Sequence, residues 1–469
     1  MVELPRLVIA APASGHGKTT VATGLMAALR AAGHTVSGHK VGPDYIDPGY
    51  HALATGRPGR NLDPCMVGEH LLAPLLLAGA RGAGIAVIEG VMGLYDGRLG
   101  GDGFASTAHV AAATGSPVLL VVDVSHASRS IAAVVQGMVA YGPELDVVGV
   151  VLNKAGSERH AAEVRRALEP TGVPVLGVLY RDDGISAPSR HLGLVPVAER
   201  RDAAGALDRL AARMAEHIDL RRIVELARRA APLEAAPWEA SSVLAPPRAA
   251  SAGTRPVVAF AGGRAFTFRY SETEELLRAA GCEVAYFDPL TDTGLPGGTA
   301  GAYLGGGFPE VHAGELSANE PLRAALRAAV DGGVPVVAEC AGLLYLCRTL
   351  DGAPMVGALD ATARMSPRLT LGYRDATAPR GTLLAEAGGR VTGHEFHRTV
   401  VEPRAGAHAA WEFGAGPEGF SADPAATGSP TLHASYLHTH WAGSPGIARR
   451  FADAARDFTA RTAHRFAGP

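Results

Sequence analysis

The sequence is poor in cysteine. Among 469 residues there are only four: Cys65, Cys282, Cys340 and Cys347. None forms a C-x-x-C pair, and their spacing matches no zinc motif. We therefore expect neither a disulfide framework nor a zinc site of the ribbon type.

Long hydrophobic runs and an excess of charge are also lacking. No apolar run reaches the roughly 18 residues that span a bilayer, and the N-terminus resembles a strand followed by a polar loop rather than a signal peptide. We expect a cytoplasmic protein without membrane attachment. The 43 basic and 46 acidic residues give a net charge of -3, so nucleic acid is not an expected partner. The sequence does not exclude a homodimer.

The chain is long enough for two large domains. In the first half, near-continuous β-branched runs such as IAVIEGV, VLLVVDV and VVGVVLNK alternate with helical patterns. This alternation predicts an α/β domain whose parallel sheet is covered by helices on both faces. A proline-rich stretch without a period predicts a linker at residues 233–255. We expect α/β domains at residues 1–232 and 256–469.

The stretch APASGHGKTT after the first predicted strand is typical of a phosphate loop. Gly15 and Gly17 let backbone N–H groups approach phosphate oxygens, Lys18 can reach the terminal phosphates of ATP, and the Thr19 hydroxyl can bind Mg²⁺. A helix is predicted from residue 19 to residue 32. Pro12 occupies the position of the usual first glycine. The alternative is a tight strand-to-helix turn without a nucleotide.

The strand VVGVVLNK ends in Asn153 and Lys154. Many phosphate-loop proteins contact the nucleotide base at this place, so these two residues are expected near the base. The predicted nucleotide-binding residues are therefore Gly15, Gly17, Lys18, Thr19, Thr20 and Asn153.

Acidic residues follow two other strands of the first half. Asp44 and Asp47 lie in KVGPDYIDPGYH, Glu89 ends the strand IAVIE, and Asp96 lies in the glycine-rich loop after it. Because the carboxyl ends of parallel strands open on one crevice, these side chains can converge on the phosphate loop. Alternatively, each is solvated or caps a helix.

In the second half, VPVVAECAGLLYL places Cys340 on the turn between a predicted strand and a predicted helix. A nucleophile on such a turn is exposed above the sheet, and the N–H of the next residue, Ala341, points toward a developing oxyanion. Gly306 and Gly307, in the loop GGGFPE, could supply a second N–H. The alternative is a buried core thiol.

Four histidines near the C-terminus are candidate partners of that cysteine or of a substrate. His438 or His440, in HASYLHTHW, could deprotonate the thiol. His394 and His397, in GHEFHRT, are spaced one residue short of the zinc motif H-E-x-x-H. For this second pair we expect contact with substrate or with the domain interface rather than with a metal.

Together these motifs resemble the cobyrinic or hydrogenobyrinic acid a,c-diamide synthases of cobalamin biosynthesis, over residues 5–445. The resemblance is carried by APASGHGKTT, KVGPDYIDPGYH, EGVMGLYDG, GGGFPE, AECAGLLYL, GYR, GHEFHR and SYLHTHW. It implies a dethiobiotin-synthetase-like N-terminal domain and a class I glutamine amidotransferase-like C-terminal domain. It also implies ATP-dependent amidation of the a and c acetate carboxylates of a corrinoid, with glutamine as nitrogen donor.

The resemblance also implies roles for single residues. Cys340 would be the glutaminase nucleophile and His438 its base, although Thr439 and His440 replace the Pro-Glu that follows this histidine in many amidotransferases. The residues implied at the Mg²⁺ site are Thr19, Asp47 and Glu89, and those implied near the corrinoid or the acyl intermediate are Asp44, Ile46 and Asp96.

The implied reaction is chemically coherent. A carboxylate is a poor acyl donor, so γ-phosphoryl transfer would first convert it into an acyl phosphate, which ammonia from Cys340 would attack. Three alternatives remain: an ATP-driven switch whose second domain is inert, a non-catalytic corrinoid-binding module, and a related synthetase acting on other carboxylates or on another tetrapyrrole. Cobalt-containing and cobalt-free substrates are both open.

Overall fold

The computed structural model describes residues 1–142, 144–181, 189–190, 193–199, 202–244 and 255–466. The chain divides into two compact units, residues 1–238 and 239–469. The division falls inside the predicted linker, of which residues 245–254 lie outside the described residues. None of the described helices is both long and apolar enough to cross a membrane.

The first unit is built on a seven-stranded sheet in which neighbouring strands are parallel. The spatial order is β3-β2-β4-β1-β5-β6-β7, so the loops after all seven strands open at one edge. This arrangement confirms the predicted α/β fold. The strands are β1 (Arg6–Ala10), β2 (Val36–Val41), β3 (Arg60–Leu62), β4 (Ile85–Glu89), β5 (Val118–Asp123), β6 (Val147–Ala155) and β7 (Val175–Tyr180). Two short strands that pair antiparallel follow, β8 (Ser189–Arg190) and β9 (Gly193–Leu194).

Helices connect and cover these strands. Helix α1 packs closely on α8, because a Cβ at Gly24 would lie only 2.8 Å from side-chain atoms of Leu210 and Met214. The predicted first helix is confirmed to within one residue. The helices are α1 (Lys18–Ala31), α2 (Asp47–Thr55), α3 (Pro64–Val67), α4 (Leu72–Gly79), α5 (Thr107–Ala113), α6 (Ser130–Tyr141), α7 (Glu158–Leu168), α8 (Ala203–His217) and α9 (Leu220–Ala227).

The main sheet of the second unit has the order β11-β10-β12-β13-β21-β20. Its neighbours are parallel except for β20, which runs antiparallel to β21 at one edge. This sheet confirms that the second domain is also α/β. Its strands are β10 (Val257–Ala261), β11 (Glu283–Phe287), β12 (Thr299–Leu304), β13 (Val336–Glu339), β20 (Phe420–Ala422) and β21 (Leu432–Ser435).

A second, mixed sheet of this unit was not predicted. Its order is β15-β14-β16-β17-β22, and β18 joins it through β16 and pairs with β19. Two long antiparallel strands, β16 and β17, form its centre. The strands are β14 (Thr349–Leu350), β15 (Ala353–Pro354), β16 (Thr362–Thr377), β17 (Arg390–Glu402), β18 (Trp411–Phe413), β19 (Gly416–Glu418) and β22 (His438–Thr439).

Helices and strands of the second unit together form a hydrophobic core that includes Cys340 and Cys347. All four cysteines lie in the described ranges, and none of them forms a disulfide. Cys340 lies between β13 and the first residue of α14, on the turn where the sequence predicted it. The helices are α10 (Ala240–Val243), α11 (Ser271–Ala279), α12 (Ala313–Ala318), α13 (Glu320–Asp331), α14 (Ala341–Leu346) and α15 (Gly446–Phe466).

Candidate active sites

The phosphate loop of the first unit lies between β1 and α1. Gly15 and Gly17 adopt left-handed backbone angles, with φ of 86° and 93°, and a Cβ at Gly17 would lie 2.2 Å from Nδ2 of Asn153. That Nδ2 donates to the carbonyl of His16 at 2.8 Å, and Lys154 Nζ donates to the carbonyl of Gly15 at 3.0 Å. Asn153 and Lys154 therefore support the phosphate loop, and their contact with the nucleotide base stays a prediction.

Lys18 is the first residue of α1 and turns back over the loop. Its Nζ donates to the carbonyl of Ala13 at 3.1 Å and to that of Met92. Burial lowers the pKa of Lys18 to about 8, and the charge of Lys40 acts in the same direction. The ammonium group is therefore held by carbonyls at the place where phosphate oxygens are expected, with Thr20 in the same first turn of the helix.

The loop after β4 packs against the phosphate loop. The Leu94 N–H donates to the carbonyl of Ala11 at 2.8 Å, and Asp96 Oδ2 accepts the N–H of Gly93 at 2.9 Å. Asp96 therefore lies in a loop that is attached to the phosphate loop, although its contact with a corrinoid stays a prediction.

Oxygen atoms of the three predicted Mg²⁺ ligands converge beside this loop. Thr19 Oγ1 donates to Glu89 Oε1 at 2.5 Å and to Asp47 Oδ2 at 3.3 Å. Two residues that the sequence reasoning missed join them: Lys40 Nζ lies 2.7 Å from Asp47 Oδ2 and 2.9 Å from Glu89 Oε1, and His51 Nε2 lies 2.7 Å from Glu89 Oε2. A lysine within the buried strand VSGHKV was the available signal.

Burial and neighbouring charges shift the pKa values of the residues in this cluster. Burial, with the charges of Asp44 and Glu89, raises the pKa of Asp47 well above its usual range. Burial acts the same way on Glu89, but Lys40 and His51 outweigh it and lower the pKa of Glu89. Burial would lower the pKa of Lys40, yet the two carboxylates raise it. Hydroxyl and carboxylate oxygens are ligands that suit Mg²⁺, so the donor set fits this ion.

Asp44 and Ile46 lie in the loop before α2. Asp44 Oδ1 accepts the backbone N–H groups of Ile46 at 2.8 Å and Asp47 at 3.0 Å. Asn61 Nδ2 donates to the carbonyl of Asp44 at 2.7 Å, and Ile46 is only 5% exposed. Asp44 thus shapes the loop that presents Asp47, while contact of Asp44 and Ile46 with a corrinoid stays a prediction.

In the second unit, Cys340 has the backbone of a strained turn. Its φ is 48° and its ψ is -95°, outside the regions that non-glycine residues prefer. Its N–H donates to the carbonyl of Ser435 at 2.8 Å, and the N–H of Gly342 donates to that of Gly305 at 3.1 Å. A Cβ at Gly342 would lie 2.3 Å from the Leu304 carbonyl oxygen. This geometry is typical of a nucleophile elbow.

The three amides predicted for an oxyanion hole differ in the partners that they have in this structure. The Gly306 N–H donates to the carbonyl of Phe268 at 3.0 Å, so in this conformation it is not available to an oxyanion, contrary to expectation. The Gly307 N–H forms no hydrogen bond within the part of the chain that the structure describes. The Ala341 N–H interacts with Cys340 and lowers the pKa of its thiol, although burial raises that pKa overall.

The imidazole of His438 lies against the same glycine loop. A Cβ at Gly306 would lie 2.4 Å from its Cε1, and Nδ1 lies 4.0 Å from Oε2 of Glu339. Burial, together with the charges of His394 and His397, lowers the pKa of His438 to about 3, so the ring is neutral near pH 7. Burial raises the pKa of the Cys340 thiol and keeps it protonated. Cys340 therefore requires a neighbouring base to form the reactive thiolate.

His440 has different surroundings. Its Nε2 lies 3.7 Å from Oε2 of Glu272, and its ring centroid lies 4.1 Å from that of Tyr270. The loop Gly305–Gly307 contacts the turn of Cys340 and the ring of His438. These contacts favour His438 over His440 as the base.

The other histidine pair lies on β17. His394 is opposite His438 across the strand pair β17 and β22. The ring of His397 stacks on Tyr436 with centroids 3.7 Å apart, and its Nδ1 lies 2.9 Å from the carbonyl of Thr399. Within the described ranges, no group of three or more His, Cys, Asp and Glu side chains could hold a metal ion.

Comparisons with known proteins cover both units. The family described as CobQ/CobB/MinD/ParA nucleotide binding domain matches residues 7–195, and the CobB/CobQ-like glutamine amidotransferase domain matches residues 258–446. A protein of Thermobifida fusca named hydrogenobyrinate a,c-diamide synthase is 64% identical, covering 96% of this chain and 97% of that protein.

Two further relatives extend the comparison. A hydrogenobyrinate a,c-diamide synthase of Streptomyces coelicolor is 57% identical, and the aligned region covers 97% of this chain and 98% of that protein. A cobyrinate a,c-diamide synthase of a Synechococcus species is 42% identical, and the aligned region covers 97% of this chain and 99% of that protein. The similarity spans almost the full length of these proteins, and it agrees with the family that the motifs indicated. The chain belongs to the family of cobyrinate and hydrogenobyrinate a,c-diamide synthases.

Proposed function

We propose that this enzyme is a glutamine-hydrolysing ligase that amidates the a and c acetate carboxylates of hydrogenobyrinate in cobalamin biosynthesis, using ATP. One observation carries the proposal: a strained cysteine elbow with a buried neutral histidine and a phosphate loop with a carboxylate cluster occur in one chain. The cobalt-free substrate is supported by the higher identity to relatives named for it, 64% and 57% against 42%. A cytoplasmic location belongs to the same proposal.

In the first unit, the phosphate loop binds ATP and the neighbouring residues orient it. The amides after Gly15 and the ammonium of Lys18 bind the phosphates. Thr19, Asp47 and Glu89 would hold Mg²⁺, which when bound offsets the negative charge of the phosphoryl group. The corrinoid carboxylate attacks the γ-phosphorus, ADP leaves, and an acyl phosphate forms.

In the second unit, Cys340 releases ammonia from glutamine. His438 takes the thiol proton, the thiolate attacks the side-chain amide carbon, and the N–H groups of Gly307 and Ala341 stabilise the oxyanion. His438 returns the proton to the departing ammonia, and water then hydrolyses the thioester to glutamate. The ammonia displaces inorganic phosphate from the acyl phosphate and forms the amide.

The direct test is incubation with ATP, Mg²⁺, glutamine and either hydrogenobyrinate or cobyrinate, followed by mass spectrometry of the corrinoid. We expect a diamide from hydrogenobyrinate, with ADP and glutamate formed in parallel. Diamide formation from cobyrinate alone would correct the substrate. ATP turnover without any glutamate would contradict the synthetase and favour an ATP-driven switch.

A further inference from the structure

The residue two positions after His438, the proposed base, is not an acid. In many amidotransferases a glutamate lies two residues after the histidine, and here that position is His440, whose imidazole faces Glu272. We propose that Glu339, the residue before the nucleophile, is the positioning residue that supplies this carboxylate to His438. The inference rests on the proposed glutaminase function of the second unit and adds a residue to it.

One carboxylate oxygen of Glu339 holds the backbone next to the histidine. Glu339 ends β13 and is only 3% exposed. Its Oε1 accepts from the Thr439 hydroxyl at 2.8 Å and from the Thr439 N–H at 3.3 Å. Because Thr439 directly follows His438 in β22, these two bonds tie the strand of the base to the strand of the nucleophile.

The other oxygen faces the imidazole. Glu339 Oε2 accepts from the Tyr303 hydroxyl at 2.8 Å and lies 4.0 Å from His438 Nδ1. A carboxylate on the Nδ1 side favours the tautomer with a proton there, which leaves Nε2 to accept the proton of Cys340. A separation of 4.0 Å is longer than a hydrogen bond, but catalytic contacts often tighten only when substrate binds.

Glu339 can carry the negative charge that this role needs, but near neutral pH only part of the population carries it. Burial raises the pKa of Glu339 to about 7, against the hydrogen bonds from Thr439 and Tyr303. A positive imidazolium forms on His438 when it takes the thiol proton, and a carboxylate at this distance in a buried site stabilises it. The charge of Glu339 raises the pKa of the neighbouring Cys340 thiol, so Glu339 does not activate the sulfur directly, and its proposed role is to position and stabilise the base.

The test compares glutamine hydrolysis and ammonia-dependent synthesis in wild type, Glu339→Gln and Thr439→Val. The Gln variant keeps an oxygen for Thr439 but lacks the charge. We expect its kcat for glutamine hydrolysis to fall roughly 10- to 100-fold with KM unchanged, while synthesis from ammonium chloride stays at the wild-type rate. Thr439→Val removes one bond to Oε1, and we expect a loss of less than about threefold.

Each outcome decides one question. Wild-type protein that hydrolyses no glutamine would refute the proposed function itself. If Glu339→Gln leaves kcat unchanged, the positioning role is overturned. The same holds if Thr439→Val lowers kcat as much as Glu339→Gln does, since Glu339 would then act only through Thr439. If Glu339→Gln lowers the thermal midpoint, Glu339→Asp decides: a kcat clearly above that of the Gln variant supports the inference, and an equal kcat overturns it.

Discussion

The substitution Gly306→Ala should impair glutamine hydrolysis by displacing His438, the proposed base. Gly306 lies in the loop after β12, and a Cβ there would lie 2.4 Å from Cε1 of His438. The same Cβ would lie 3.1 Å from the Cβ and Cδ2 atoms of Phe268, so the added methyl group would be crowded by a second side chain as well.

The magnitude follows from the missing space. Carbon atoms pack at about 3.5–4.0 Å, so the imidazole of His438 must shift by about 1 Å. A shift of this size in a catalytic group can reduce the rate by about 100-fold. We therefore expect kcat for glutamine hydrolysis by Gly306→Ala to fall about 100-fold, while synthesis from ammonium chloride is unchanged, because carboxylate activation needs only the first unit.

The assay is glutamate release from glutamine, with diamide yield from ammonium chloride measured in parallel. Gly314→Ala is the matched control, since a Cβ there meets nothing within 4 Å and alanine is favourable in the helix α12. The control should hydrolyse glutamine like the wild type. A Gly306→Ala variant with a normal rate would refute the assignment of His438 as the base in the geometry described.

Further substitutions test both units. Cys340→Ser should abolish glutamine-dependent synthesis, and ammonium chloride at mildly alkaline pH should restore it. If diamide assays show that the variant still uses glutamine well, or that it fails with both nitrogen donors, the result would count against Cys340 as the nucleophile. Lys18→Ala should prevent synthesis from either donor while glutamate release persists, and normal diamide formation would exclude the phosphate site. Lys40→Met should leave Asp47 and Glu89 without their buried cation and lower the free energy of unfolding by about 3 kcal/mol in urea titrations. A variant as stable as the wild type would contradict the conclusion that Lys40 stabilises the two buried carboxylates.

Much of the main architecture could be predicted because it depends on local patterns. Strands that helices cover on both faces are apolar along nearly their whole length, and the runs IAVI and VLLVV, each followed by an acidic residue at the strand end, show this directly. The helix after the phosphate loop was found to within one residue, since Gly17 and Lys18 mark its start. The cysteine elbow was visible for the same reason, because a strand, a turn and a helix follow one another in 334–346.

Elements without a clear apolar period were missed. β3 has only three residues, RNL, and lies at the edge of its sheet. In β16, several successive residues are exposed or half-buried, so neither an alternating nor a continuous apolar pattern marks the strand. The mixed sheet that carries His438 on its last strand was therefore invisible before the fold was known.

The sequence alone determined the order of the elements and the chemical types of the site residues, since these depend on neighbours a few positions apart. Only the tertiary structure decided which distant side chains meet. It brought Lys40 to Glu89, 49 residues away, and Glu339 to Thr439, 100 residues away. It also separated His438 from His440, because β22 ends at Thr439 and the second histidine turns toward α11. Such contacts follow from how whole strands pack side by side, and no local pattern encodes that packing.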